Sequence, residues 1–422
     1  MMRRREFLRS GAFAAVMAAS GRAARAVSPG ALSRVVIVGG GFAGGCCALQ
    51  LRSLSPKSEV TLIDPESRYV TCPLSDTVIV GLRSIRSITT ARTGLMRAGV
   101  RLVQERVAAV DAAHRRVRLG GGGVIAYDKL VIAPGIRFLL GTPAGYDQAA
   151  TLHMPHAWQA GAQTELLAAQ LRAMADGGIV GISVPTGLMR CPPGPYERAS
   201  LIAHWLKLHR PRSKVLIFDA NNHFPRQDVF TRAWEELYPG RIEWIPPGDG
   251  GAITRVEAHT RTLYSSSGTH RLAVANVIPP QAPAALALDA GLASGHGWCP
   301  INPASFESQL VPDVHVIGDA CIAGAMPKSA SAARSQALRC ATAIAAELAG
   351  RAATATDLDS VCYSMLGPES AFAMSGRFEV ADGDIRQLGA AASQAAELTP
   401  SAQHATEAAA WYEDMRAACF GG

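Results

Sequence analysis

The feature that most constrains this chain is Gly39-Gly-Gly41-Phe-Ala-Gly44, set between a buried-strand run, Arg34-Val-Val-Ile-Val38, and a helical stretch reaching Leu54. A second strand pattern, Glu59-Val-Thr-Leu-Ile63, ends in Asp64, 23 residues beyond Gly41. Strand, glycine loop, helix, strand and acid in that order make a dinucleotide-binding unit. Gly39 serves the tight turn, Gly41 lets backbone N–H groups approach a pyrophosphate, and Gly44 lets the helix pack on the strand. The helix start adds positive potential, and Asp64 is placed to accept hydrogen bonds from a ribose.

The 422 residues are enough for two or three domains, and the average hydrophobicity with 18% charged residues excludes a wholly disordered chain. Strand-like segments follow at 101–106, 115–119 and 129–133, the last running into Pro134-Gly135. Far downstream, Val314-His-Val-Ile317 leads into Gly318-Asp319. These two elements look like the second nucleotide-contacting turn and the ribityl-holding turn of two-domain flavoproteins. Between them, strands at 179–184 and 214–219 flank a helix, but the first leads into Pro185-Thr-Gly-Leu-Met-Arg190-Cys191 rather than a second glycine fingerprint. The expectation is an α/β chain with two Rossmann-like dinucleotide-binding domains and a small C-terminal domain. The FAD domain, 33–150 and 286–355, is split around a second domain, 151–285, that keeps the fold without nicotinamide binding. Residues 356–422, Ala-rich with a polar middle, form a cap or an interface.

Residues 1–26 read as a leader: Arg4-Arg5-Glu-Phe7-Leu8, an apolar run at 11–19 and Ala24-Arg-Ala26 resemble a twin-arginine signal peptide. A periplasmic location is expected. Six arginines and one acid leave with it, so the formal charge of +7 becomes +2 and gives no reason to expect a nucleic-acid partner. No later run is long and apolar enough to suggest an integral membrane segment, and no metal site is expected. Nine cysteines (46, 47, 72, 191, 299, 321, 340, 362, 419) are more than a chain of this size needs as staples, and an odd count leaves at least one unpaired or bonded to something else. Cys46 and Cys47, adjacent on the first helix, point apart and read as packing, and Cys299, Cys321, Cys340 and Cys419 read as structural or inert.

Seven motifs spread over nearly all of the mature chain carry a more specific resemblance. They are Tyr69-Val-Thr-Cys72-Pro-Leu-Ser75, Cys191-Pro-Pro-Gly-Pro-Tyr-Glu-Arg-Ala-Ser200, Gly297-Trp-Cys-Pro300, Phe306-Glu-Ser308, His315-Val-Ile-Gly-Asp-Ala-Cys-Ile322, Met326-Pro-Lys-Ser329 and Cys362-Tyr-Ser364. With them the chain resembles the flavoprotein subunits of flavocytochrome c sulfide dehydrogenases, which are related to the sulfide:quinone oxidoreductases. The resemblance implies FAD as cofactor, bonded through Cys72 as a thioether, and a redox-active Cys191–Cys362 disulfide that accepts sulfide. It also implies that Lys328 lies near the flavin. From the residues alone, a structural disulfide or two buried thiols also accommodate Cys191 and Cys362, and Cys72 also reads as a core cysteine. Cys191 lies near a helix start, where a thiolate is stabilised. Glu197, in the first turn of that helix, either exchanges a proton with sulfide or stabilises the helix dipole.

The implied partner is a c-type cytochrome subunit in a heterodimer, and because no C-x-x-C-H occurs, the haem belongs to a separate chain. A sulfide:quinone oxidoreductase on a membrane surface is the first alternative; the polar tract at 390–409 speaks against the amphipathic C-terminal helices it needs. A non-catalytic flavoprotein partner in a sulfur-oxidising assembly is the second.

Overall fold

The computed structural model describes residues 32–293, 297–389 and 397–421, so the expected leader and residues 390–396 of the polar tract lie outside the described residues. The chain opens with β1 (Arg34–Val38), α1 (Phe42–Leu54), β2 (Glu59–Ile63), β3 (Arg68–Val70) and the short helix α2 (Ser75–Ile79), then β4 (Arg101–Val103) and β5 (Lys129–Ile132). Next come β6 (Ile179–Val184), α3 (Gly194–His209), β7 (Lys214–Asp219), β8 (Ile242–Ile245) and β9 (Val274–Val277). The last part holds β10 (Val314–Val316), α4 (Ala330–Leu348), β11 (Leu358–Gly367), β12 (Ser370–Ala381), β13 (Asp384–Gln387) and α5 (Ala402–Phe420).

Runs such as Val35-Val-Ile-Val38 carry no polar residue on either face, which suits a parallel sheet covered on both sides. The first sheet is parallel throughout, in the order β10-β5-β1-β2-β4. Its register pairs Val38 with both Ile63 and Ile132, and Ile132 with Val316, so four strands end level with one another. The strand expected over 129–133 stops at Ile132, short of Pro134, which has no N–H to give a ladder. The second sheet, β8-β7-β6-β9, is also parallel and joins Val184 to Asp219 at its carboxyl end. The C-terminal segment is an antiparallel β11-β12-β13 sheet with α5 laid against β12 and α1.

Two large cores follow. One gathers the first sheet with α1, α4 and the end of α5; the other gathers the second sheet with α3 and the β11-β12 hairpin. Arg198 of α3, 2% exposed, fastens several elements together. Its guanidinium reaches Asp76 Oδ1 of α2 at 2.8 Å, Asn276 Oδ1 of β9 at 2.9 Å and the carbonyls of His156 and Ala157 at 3.0 and 2.7 Å. It also lies 4.8 Å from the Trp158 ring centre. Removing one partner of such a buried pair strands the other's charge, which costs about 3–5 kcal/mol. Arg198→Met is therefore expected to lower stability by about that amount in denaturant titration, and Asp76→Asn added to it to recover part of the loss.

Candidate functional site

Because the four strands end level, the turns that follow them lie along one edge: the glycine loop after β1, Asp64 after β2, Pro134-Gly135 after β5 and Gly318-Asp319 after β10. Gly39 has φ +99°, and a methyl there would lie 2.2 Å from the Ala133 carbonyl oxygen; one at Gly44 would lie 1.8 Å from the Gly39 oxygen. Neither position admits a side chain. At Gly41 a methyl would meet the Tyr69 ring and hydroxyl at ordinary contact distance, 3.4 Å at the nearest, so the protein itself does not demand glycine there. The start of α1 has no side-chain cap and no acid in its first turn, leaving its N–H groups and positive potential for an anion.

Asp64 accepts from the Gly40 N–H at 2.6 Å and the Glu66 N–H at 2.9 Å. It also pairs at 3.0 Å with Arg92, a residue that no sequence pattern singled out. Arg92 is 4% exposed, donates to the carbonyl of Glu66, and keeps its Nε without a hydrogen-bond partner. A cavity of about 470 Å³ opens beside Asp64, Arg92 and Met96. The glycine cradle, the uncapped helix start and the unspent Arg92 Nε together fit a dinucleotide. Gly39, Gly41, Gly44, Asp64, Pro134, Gly135, Gly318 and Asp319 are the residues that would hold it.

Cys72 follows β3 and is half-buried, its Sγ 4.0 Å from the Trp158 carbonyl oxygen. The preceding Thr71 hydroxyl is fixed by the Ile88 carbonyl (3.1 Å) and the Tyr412 hydroxyl of α5 (2.8 Å). Arg190 donates to that same Trp158 carbonyl, stands 3.9 Å from Asp319, and accepts the Trp158 indole N–H on its own carbonyl at 3.1 Å. Burial opposes its charge, but Cys72 and Asp319 outweigh burial and hold the guanidinium above its usual value. Sequence reading missed Arg190 as well, although its place one residue before Cys191 was a usable signal.

Cys191 has φ +52°, donates its N–H to the Lys328 carbonyl at 2.8 Å, and lays its sulfur over Gly194 at the start of α3. Cys362 of β11 is half-buried and bonded by the Ser329 and Ser360 side chains. The dipeptide Lys328-Ser329 thus touches both cysteines, and the charge of Cys362 is felt at Cys191. Both are free thiols in the structure. The thiolate expected at Cys191 is not found: although the residue is exposed along one edge, the protein around its sulfur and then the Glu197 carboxyl push the thiol well above its ordinary value. Burial also raises Cys362.

Glu197 lies in the first turn of α3, as expected, and its charge reaches both sulfurs. Burial, then the charge of Asp76, pushes its carboxyl up to about 8, against a hydrogen bond from the Met365 N–H. Lys328 gives its ammonium to the Asp319 and Cys321 carbonyls, at 2.8 and 2.7 Å, and lies 3.8 Å from the centre of the Trp298 ring. It locks the turn after β10 to the Cys191 loop. In the second domain, Asp219 at the end of β7 takes hydrogen bonds from the Tyr196 hydroxyl (2.6 Å), the Trp244 indole (2.9 Å) and Asn221 (3.0 and 2.8 Å). Tyr196 stacks on Phe224 at 3.7 Å. The carboxylate's acceptor capacity is spent inside its own domain.

Three family descriptions match successive parts of the chain: pyridine nucleotide-disulphide oxidoreductase over 33–171, the central part of the sulfide dehydrogenase (flavocytochrome c) flavoprotein chain over 164–279, and the flavin-binding part of flavocytochrome c sulphide dehydrogenase over 355–420. A stretch of 45 residues is 53% identical to the sulfide dehydrogenase (flavocytochrome c) flavoprotein chain of Chlorobaculum thiosulfatiphilum, covering 94% of that relative and 11% of this chain. Over 221 residues the chain is 27% identical to the sulfide-quinone reductase of Aquifex aeolicus (strain VF5), half of each protein, so it spans about half the length of that relative. The solved structure of the sulfide:quinone oxidoreductase from Aquifex aeolicus has the same fold, with a TM-score of 0.71 at 19% identity over 92% of this chain and 93% of that one. The chain therefore belongs to the family of flavocytochrome c sulfide dehydrogenase flavoprotein chains, kin of the sulfide:quinone oxidoreductases, and is a flavoprotein whose glycine edge is built for FAD.

Proposed function

We propose that this chain is the flavoprotein of an exported, periplasmic sulfide dehydrogenase. It oxidises sulfide at a Cys191–Cys362 disulfide beside an FAD tethered through Cys72, with a c-type cytochrome on a separate chain as electron acceptor. The observation that carries the reading is the Lys328-Ser329 clamp, which touches Cys191 with one residue and Cys362 with the next, while Glu197 senses both sulfurs. When bound, FAD supplies a two-electron acceptor.

Hydrosulfide is a soft nucleophile suited to disulfide exchange. Its attack on one sulfur of the pair breaks the S–S bond, leaves a persulfide on that cysteine, and releases the other as a thiolate carrying the electron pair. Because the surroundings raise both thiol pKa values, that thiolate is high in energy and gives up its electrons readily. A carboxyl that keeps its proton up to about pH 8 adds no negative charge to repel the incoming anion at neutral pH. A quinone acceptor is the competing reading, favoured by the likeness to sulfide-quinone reductase. Among the described residues no helix is long and apolar enough to cross a membrane. Turnover with a soluble c-type cytochrome against turnover with a short-chain quinone separates the two acceptors.

Precipitating the holoprotein with acid is expected to leave the yellow colour on the polypeptide, and on Cys72→Ala to release it; wild type that frees all its flavin overturns the tether. Anaerobic sulfide is expected to bleach the wild-type flavin rapidly and Cys191→Ser only slowly, and full-speed bleaching in that variant sinks the persulfide route. The bleaching rate should fall as pH rises through about 8 and stay flat there in Glu197→Gln, read by stopped-flow absorbance. Stability carries the same sign. Between the ordinary carboxyl value and about 8 the folded chain keeps a proton that the unfolded chain releases, so stability declines with rising pH across that window, and Glu197→Gln removes this decline in pH-dependent melting.

A further inference from the structure

Eight of the nine cysteines stand in couples. Cys191 and Cys362 are one. Cys299 and Cys321 are register partners in two short parallel strands, Cys299–Pro300 and Cys321–Ile322. Successive residues on a helix point about 100° apart, and so Cys46 and Cys47 of α1 reach different helices: Cys47 is hydrogen-bonded to Cys340 of α4, and Cys46 to Cys419 in the last turn of α5. Cys72 is left over.

We propose that Cys46 and Cys419 close to a disulfide in an oxidising compartment, fastening the C-terminal helix to the helix that begins at the glycine loop. Both are buried, at 2% and 0% exposed, and their helices meet backbone to backbone: a methyl at Gly45 would lie 2.3 Å from the Cys419 carbonyl oxygen. The last turn is held in register by the Phe42–Phe420 ring contact at 5.3 Å and by Gly94, where a methyl would lie 1.8 Å from the Gly421 oxygen. Access distinguishes this couple from Cys47 and Cys340. All four sulfurs lie in the same core, but Cys340 sits mid-way along α4 whereas Cys419 sits in the last turn of α5, and helix ends open locally more readily than helix middles. Within the couple Cys46 is the one to react first: its thiol is lowered by the hydrogen bond from Cys419 and by the charge of Arg334, whereas that of Cys419 is raised.

The oxidant is a disulfide of an exchange catalyst or of glutathione. The Cys46 thiolate attacks it, one sulfur of the oxidant leaves as a thiol, and a mixed disulfide forms. Cys419 then loses its proton, attacks the Cys46 sulfur and displaces the second thiol, so that two electrons and two protons leave with the reduced oxidant. The staple bears on the nucleotide edge, because Phe420 packs on Tyr69 at 5.5 Å and the Tyr69 hydroxyl stands over Gly41.

The test uses the full chain, treated with oxidised glutathione so that the outcome does not depend on its export, quenched in acid, alkylated without reductant and mapped by mass spectrometry. The expected product joins the peptide of Cys46 to that of Cys419, about 2 Da lighter than the two thiol peptides and split by reductant; fragmentation, or the same map on Cys47→Ser, assigns the sulfur. Alkylation of both Cys46 and Cys419 in the treated protein, or linkage of Cys419 to Cys47, overturns the proposal. Cys419→Ser is expected to melt about 5 °C below the oxidised wild type, a gap that narrows when both are reduced because the wild type loses its bond. A gap that reductant leaves unchanged assigns Cys419 a packing role alone and also overturns it; should the variant fail to fold, the peptide map decides alone.

Discussion

Everything in this chain hangs on a register. Because Val38, Ile63, Ile132 and Val316 are ladder neighbours, four turns from distant parts of the sequence open at one height and one edge. No single turn binds much. Together they set a glycine loop, an acid, a positive-φ glycine at 135 and another at 318 along a line that a long dinucleotide can follow. A one-residue slip in β10 would move Gly318 and Asp319 by a full strand step and turn their neighbours to the other face.

The two cysteines Cys191 and Cys362 rest on a second layer built from ordinary groups. Lys328 spends its ammonium on two backbone carbonyls and its own carbonyl on Cys191, so it is a rivet between the turn after β10 and the cysteine loop. Arg198 does the same one turn into α3, behind Glu197. Positioning by buried hydrogen bonds keeps the two thiols on independent elements, β11 and the start of α3, without requiring either to be rigid by itself.

The sequence made the parallel sheets legible because unbroken runs of Val and Ile allow little else, and β1, β2, β6 and β7 begin and end where those runs do. The glycine edge was legible for a related reason, since backbone crowding at Gly39 and Gly44 forbids every other residue. What could not be read were interactions with no local pattern. Arg92 lies 28 residues beyond Asp64 and is just an arginine until the fold brings the two together. The thiolate expected at Cys191 followed from a helix start, a local effect, but desolvation and the Glu197 carboxyl come from the folded surroundings and outweigh it. Asp219 offers the same lesson, a strand-end acid whose neighbours in space, Tyr196 and Trp244, have already claimed it.

The parity of the cysteines has a consequence for chemical longevity. Once the Cys191–Cys362 and Cys46–Cys419 bonds proposed above have closed, a solitary thiol beside them is a standing initiator of exchange, able to open a neighbour's bond and pass the vacancy along. Cys72 is that solitary sulfur, and it shares the Trp158 carbonyl with Arg190, the residue next to Cys191. Committing it to a carbon–sulfur bond would do more than hold a cofactor: it would retire the one group through which such disulfides could scramble.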